Sequence, residues 1–221
     1  MELLNPSIWK DWQWKYRDTQ GYLPSIYAMR LDIASNREAM VKAVSEGRPE
    51  LWELGNEPEL NTSFIAPKTA VAFCKEWQER VGSNFAAPGI IMHRHGLVWL
   101  EQYLADGGPI GDYWNIHIYF ATDAKSWAVK WDMWCAWMEE HNLVRPTLIS
   151  ETCGMNSPVA AQKEIMSHIA GVLRTDSRLH AALWYSDADW WQLWPESNLR
   201  TEAGELTELG RHYLSLTRDE S

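Results

Sequence analysis

The sequence predicts an α/β protein built as a compact or irregular (β/α)8 TIM-type barrel. Short apolar runs alternate with longer amphipathic segments from one end of the chain to the other. Strands separated by helices of about ten to fifteen residues are the signature of βαβ units and a parallel sheet. No Gly-rich phosphate loop follows an early strand, as an open doubly wound sheet would usually show. The chain has 221 residues, fewer than the 250 or so typical of eight full units. One or two units are therefore expected to be reduced to loops. No repeat, low-complexity tract or Pro/Gly/Ser linker divides residues 1–221, which reads as a single domain.

The strands predicted in order are Leu23–Met29, Leu51–Leu54, Asn84–Ile91, Tyr113–Tyr119, Thr147–Ser150 and Ala181–Tyr185. Each is a short apolar run bounded by turn or polar residues. Helical periodicity falls between them at Arg37–Ser45, Thr69–Val81, Leu97–Ala105, Ser126–Glu140 and Ala160–Arg174, with a last helix over Leu206–Leu214. Ile8–Tyr16, with Trp9, Trp12 and Trp14, has no readable period.

Composition narrows the function classes. The formal net charge is −10 and there is no Lys/Arg cluster, which excludes a phosphate-backbone partner and disfavours anionic membranes. No stretch reaches the roughly 20 apolar residues of a membrane span. No basic segment followed by an apolar one opens the chain, so no signal peptide is visible. Cys74, Cys135 and Cys153 have neither zinc-type spacing nor an even count, and read as small buried apolar residues. Fifteen tryptophans raise the odds of carbohydrate binding modestly, because indole faces stack on sugar rings but also fill cores.

In barrels of this class the active site lies at the C-terminal ends of the strands. Three strand ends carry polar groups that sit poorly in a core. Trp52-Glu53-Leu54-Gly55-Asn56-Glu57-Pro58 leads an apolar run into Asn-Glu. Leu148-Ile149-Ser150-Glu151-Thr152 closes a strand on Glu151. In Trp114-Asn115-Ile116-His117-Ile118-Tyr119, His117 and Tyr119 share a face by the two-residue strand period. Either glutamate alone would pass for an exposed residue that starts the next helix. Two carboxylates at one barrel mouth are what glycosidic cleavage needs, one protonating the leaving oxygen and one staying ionised.

These motifs resemble glycoside hydrolase clan A, the retaining (β/α)8 enzymes. Asn56-Glu57-Pro58 is similar to the Asn-Glu-Pro that ends their fourth strand, and Ile149-Ser150-Glu151 to the nucleophile end of their seventh. His117-Ile118-Tyr119 resembles the His-x-Tyr strand between them, and Ala182-Leu183-Trp184-Tyr185-Ser186 the eighth, which commonly carries an aromatic platform. In size, and in the ending Leu206–Tyr213, the chain looks most like glycoside hydrolase family 128, which acts on β-1,3-glucans. Trp52–Pro58 also resembles families 39 and 79.

The resemblance implies a retaining hydrolase of a neutral β-linked polysaccharide, endo-acting on β-1,3-glucan or a related glycan. Glu57 would be the acid/base and Glu151 the nucleophile, with carboxyl groups about 5–5.5 Å apart. It further implies that Asn56 binds the sugar 2-hydroxyl and that Tyr119 or His117 holds Glu151. Trp184 and Tyr185 would belong to the aromatic platform. Read from the residues themselves, Trp184, Trp190, Trp191 and Trp194 lie on or after a strand end, where they either line a glycan cleft or fold over the barrel's end. Asp187 and Asp189 either hydrogen-bond sugar hydroxyls or make ordinary loop turns. No cofactor, metal, nucleic acid or membrane is implied; the partner is the poly- or oligosaccharide, and the chain is expected to be monomeric.

Several features have plainer explanations. His93-x-His95 faces one way only if the preceding strand continues, and a zinc site needs three or four ligands; one of the two lining a sugar subsite is the simpler assignment, and a surface loop simpler still. Trp127, Trp131 and Trp134, at i, i+4 and i+7, form the core-facing stripe of a helix. Two other functions remain open. One is a catalytically silent glycan-binding module. The other is a glycosidase for acidic glycans, which would need a basic patch from Arg94, Arg200 and Lys125.

Overall fold

The structure, a computed structural model, describes residues 51–186 and 194–217, together with Lys10, Glu38, 41–43 and 45–46. The predicted strand Leu23–Met29 and all of Ile8–Tyr16 except Lys10 lie outside the described residues, as do Asp187, Asp189, Trp190 and Trp191. The described positions of the helix predicted over Arg37–Ser45 are helical.

In chain order the elements are β1 (Trp52–Glu53), α1 (Pro67–Val81), β2 (Phe85–Ala86), β3 (Ile90–Ile91), α2 (Arg94–Ala105), β4 (Trp114–Ile118), α3 (Ala124–Glu140), β5 (Thr147–Thr152), α4 (Val159–Thr175), β6 (Leu179–Trp184), a short 3-10 turn (Pro195–Ser197) and α5 (Glu208–Thr217). Two compact units contain them, the first Met1–His117 with Arg145–Ser150, the second Ile118–Val144 with Glu151–Ser221.

In the first unit the strands run parallel. Trp52 pairs with Phe85 and Glu53 with Ala86, and an isolated parallel bridge joins Asn56 to Gly89. Ile90 and Ile91 pair with Ile116 and His117, and Trp114 N–H donates to Pro146 O at the start of β5. The single strand predicted over Asn84–Ile91 is thus two short ones. Pro88 lacks the N–H that a ladder needs, and it interrupts the run between them. Helix α1 starts with Pro67, which suits a position whose N–H has no helical partner. Trp77, Cys74, Phe85, Leu54 and Tyr103 are fully buried between helices and strands, and Trp99 stacks on Tyr103 at 5.4 Å.

The second unit is packed on tryptophan. Asp123 caps α3 through a capping box with Ser126. Trp127, Trp131 and Trp134 are all buried, so the stripe is core. Trp127 stacks near Trp131 at 6.3 Å, and Trp134 on Trp137 at 5.1 Å. Each buried indole removes on the order of 200 Å² from water, an upper figure of about 5 kcal/mol before entropy. Helix α4 packs on α3, α5 and β6, and Tyr185 N–H donates to Thr152 O beside β5. The three cysteines are buried and unbridged. Among the described residues no helix is long and apolar enough to cross a membrane.

Candidate active site

Glu57 sits where β1 runs out. Gly55, at φ +114°, turns the chain in a region that side chains rarely adopt. Glu57 itself has φ +47°, a left-handed conformation that persists only when its surroundings over-determine it. Here they do. Its N–H donates to Gly89 O at 2.7 Å, and its carbonyl accepts from Ser63 Oγ at 2.5 Å. The loop that follows is closed by Ile65 N–H on Pro58 O at 2.9 Å and by Trp99 Nε1 on Ile65 O at 2.8 Å.

Behind Glu57 lies a polar network that the apolar look of β1 hid. Glu57 Oε1 is 2.8 Å from His117 Nδ1. His117 is fully buried, and its Nε2 lies 3.0 Å from Ser150 Oγ. Glu53, also fully buried, receives Asn115 Nδ2 at 2.7 Å and Ser150 Oγ at 3.1 Å on Oε1. Lys10 Nζ lies 2.7 Å from Glu53 Oε2 and donates to Asn56 Oδ1 at 3.1 Å. Burial alone would raise the Glu53 carboxyl. The Lys10 ammonium and the His117 ring outweigh it and hold the group well below the usual carboxylate range. A buried charge with this many partners is the affordable kind.

Gly89 makes room for the network. A Cβ there would stand 2.7 Å from Asn115 Nδ2, 2.8 Å from His117 Nε2 and 2.9 Å from Glu53 Oε1. Glu59, two residues past Glu57, is a further carboxyl that sequence reasoning passed over. One oxygen accepts from Ile91 N–H at 2.6 Å while the other is buried without a hydrogen-bond partner. Burial pushes it up from an ordinary 4.5 to about 7.

In the second unit Glu151 is buried at the end of β5, and Tyr119 O–H donates to its Oε2 at 2.5 Å. Tyr119 belongs to an aromatic cluster: Tyr185 meets it edge-on at 6.0 Å, and Trp194 lies 6.2 Å from Tyr119 and 5.5 Å from Tyr185. Trp184 is half-buried and donates through Nε1 to Ser197 O at 3.0 Å. Behind Glu151, Trp127 Nε1 donates to Thr152 Oγ1, which in turn donates to Ile118 O. Phe120 follows Tyr119 with φ +58° and 59% exposure.

Two other candidates resolve as structure. β3 ends at Ile91, so His93 and His95 share no strand face. His93 caps α2, its Nδ1 accepting from Gly96 N–H at 3.0 Å, and His95 is exposed.

A glutamate held by a histidine ends a strand of the first unit, and a glutamate held by a tyrosine ends a strand of the second. The model of the glycosyl hydrolase catalytic core family matches residues 9–213, and the chain belongs to that family. No curated protein sequence matches it. Solved structures share its fold. An endo-β-1,3-glucanase of glycoside hydrolase family 128, subgroup II, from Sorangium cellulosum superposes with TM-score 0.75 at 21% identity, covering 97% of this chain and 93% of that one. An exo-β-1,3-glucanase of subgroup VI from Aureobasidium namibiae gives 0.75 at 17%, covering 92% and 83%. An oligosaccharide-binding protein of subgroup VII from Trichoderma gamsii gives 0.74 at 15%, covering 97% and 88%. The expected fold class holds: the chain shares with these family 128 proteins the TIM-type barrel fold of glycosidases.

Proposed function

We propose that this chain is a retaining glycosidase that cleaves β-1,3-glucan, acting as a monomer with one catalytic domain. Glu57 is the general acid/base and Glu151 the nucleophile. The observation that carries this assignment is the unlike partnering of the two glutamates. Glu57 contacts a ring nitrogen that can share a proton, whereas Glu151 receives a phenolic hydroxyl. One carboxyl is equipped to hold and return a proton, the other to act as an acceptor and attack.

The mechanism is a double displacement. Glu151 attacks the anomeric carbon as Glu57 protonates the departing glycosidic oxygen. Glu57 then takes a proton from water, which releases the glycosyl-enzyme. This needs the two carboxyl groups about 5–5.5 Å apart. Asn56 meets the sugar 2-hydroxyl, and Trp184, Tyr185, Trp190 and Trp191 are assigned to glycan binding. The linkage is taken from the Sorangium and Aureobasidium proteins, which act on β-1,3-glucan.

The Trichoderma protein, described as oligosaccharide-binding, makes a binding module the second reading. Incubation with β-1,3-, β-1,4- and mixed-linkage glucans, mannan and xylan, followed by product analysis, separates the two. Products from β-1,3-glucan that vanish in Glu57→Gln and Glu151→Gln support the enzyme. Tight binding of the glucan with no products supports the module.

A further inference from the structure

Proton bookkeeping in the Glu57 network fixes more than positions. A serine hydroxyl has one proton. Ser150 Oγ stands 3.1 Å from Glu53 Oε1, an oxygen with no proton to offer, so Ser150 must donate there. Lys10 Nζ approaches the same hydroxyl at 3.5 Å and has only protons to offer. Ser150 Oγ is therefore an acceptor toward His117, and His117 Nε2, 3.0 Å away, carries a proton.

That assignment decides the other side of the ring. A neutral imidazole protonated on Nε2 presents a bare lone pair at Nδ1. Facing it at 2.8 Å is Glu57 Oε1. Two acceptors at that distance repel, so one more proton lies between them, either on the glutamic acid or on the imidazolium.

We infer that Lys10, Glu53 and Ser150 form a positioning relay that locks His117 as the Nε2-protonated form and so keeps one proton loaded between His117 Nδ1 and Glu57 Oε1 in the resting enzyme. This rests on the assignment of Glu57 as acid/base. In the first step that proton passes from Glu57 to the leaving oxygen as the glycosidic C–O bond breaks, leaving a carboxylate opposite the bare Nδ1. In the second step a proton from the attacking water restores the pair as hydroxide oxygen bonds to the anomeric carbon. Nothing is consumed, and Nε2–H stays on Ser150 throughout.

Among the described residues of this unit, the charged and titratable groups around the pair are Glu53, Lys10 and Glu59, the last sensed electrostatically by both His117 and Glu57. They give the relay a signature of opposite signs. Glu53→Gln removes the negative charge 3.7 Å from Nε2 and leaves the Lys10 ammonium, so the shared proton is lost at lower pH. Lys10→Met removes the cation and leaves Glu53 facing the ring, so the proton is kept to higher pH. The basic limb of kcat/KM reports the free enzyme's essential acid. It should move down by about one unit in Glu53→Gln and up by about half a unit in Lys10→Met. Both are measured in a Glu59→Gln background, which removes that titration. A side chain that served only to hold the fold would lower kcat without moving the limb in opposite directions.

The wild-type protein supplies a second test that needs no tolerance of mutation. In a sample labelled with ¹⁵N-histidine, with His117 assigned by its loss in His117→Gln, proton–nitrogen correlation near pH 6.5 should show a proton bonded to Nε2. A bare Nε2 with the proton on Nδ1 alone overturns the relay, as do limbs that shift together or stay in place. Wild-type activity in Glu57→Gln would overturn the acid/base assignment instead, while the nitrogen result stands independently of it.

Discussion

Gly89→Ala places one methyl group among three polar atoms of the buried network. Its Cβ would lie 2.7 Å from Asn115 Nδ2, 2.8 Å from His117 Nε2 and 2.9 Å from Glu53 Oε1, distances that real Cβ atoms essentially never show. The backbone cannot retreat freely, because Gly89 N–H donates to Gly55 O at 2.9 Å and its carbonyl accepts from Glu57 N–H. The side chains must move, which parts Asn115 from Glu53. A hydrogen bond to a charged group is worth about 1.5–3 kcal/mol, and overpacking a filled core costs about 1–3 kcal/mol more. The expected loss is about 3–5 kcal/mol, a large part of the 5–15 kcal/mol or so that holds a domain together. Urea unfolding followed by circular dichroism reads it as a midpoint lowered by more than about 1 M. Gly171→Ala is the control, since a Cβ there meets nothing within 4 Å in helix α4, and it should stabilise by about 0.5–1 kcal/mol. A Gly89→Ala variant destabilised by less than about 1 kcal/mol, with activity intact, would refute the claim that this glycine is required by the network.

Further outcomes follow from single groups. Glu59 is held up at about 7 against an ordinary 4.5, so the folded state binds its proton more tightly than the unfolded state does. The penalty is absent below about pH 4.5, grows as pH rises to about 7 and is then constant. Glu59→Gln should therefore stabilise by up to about 3 kcal/mol at pH 8 and leave pH 4 stability nearly unchanged; equal effects at both pH values would exclude this. Glu53 has the opposite sign: its carboxyl is held low, so its contribution is present above about pH 4.5 and is lost on acidification. Tyr119→Phe removes the hydroxyl that donates to Glu151 at 2.5 Å and should lower kcat about 10- to 100-fold; an unchanged kcat would show that Glu151 needs no such donor. Phe120→Ala, at an exposed aromatic beside Tyr119, should raise KM for glucan several-fold with little change in unfolding midpoint.

Local chemistry was legible in the sequence, and distant pairing was not. Alternating periodicity located every described helix to within a few residues, because each buries one face of a regular repeat. The run Asn84–Ile91 looked continuous, although Pro88-Gly89 carried the signal that breaks it. Glu57 and Glu151 were visible as polar residues that end apolar runs. Glu53 was not, because its compensation comes from Lys10, 43 positions earlier in a stretch with no readable period, and from Asn115 and Ser150 far along the chain. Gly89 and Glu59 were hidden likewise, since their roles exist only once β1, β3 and β4 are brought together.

The most direct test of the proposed chemistry is the anomeric outcome of the first turnovers. Proton NMR of a β-1,3-gluco-oligosaccharide, hydrolysed at high enzyme concentration, distinguishes the product anomers before mutarotation mixes them. A double displacement through Glu151 predicts β-anomer first, with α appearing later at the spontaneous rate. Direct release of the α-anomer would mean a single displacement by water and would contradict Glu151 as nucleophile.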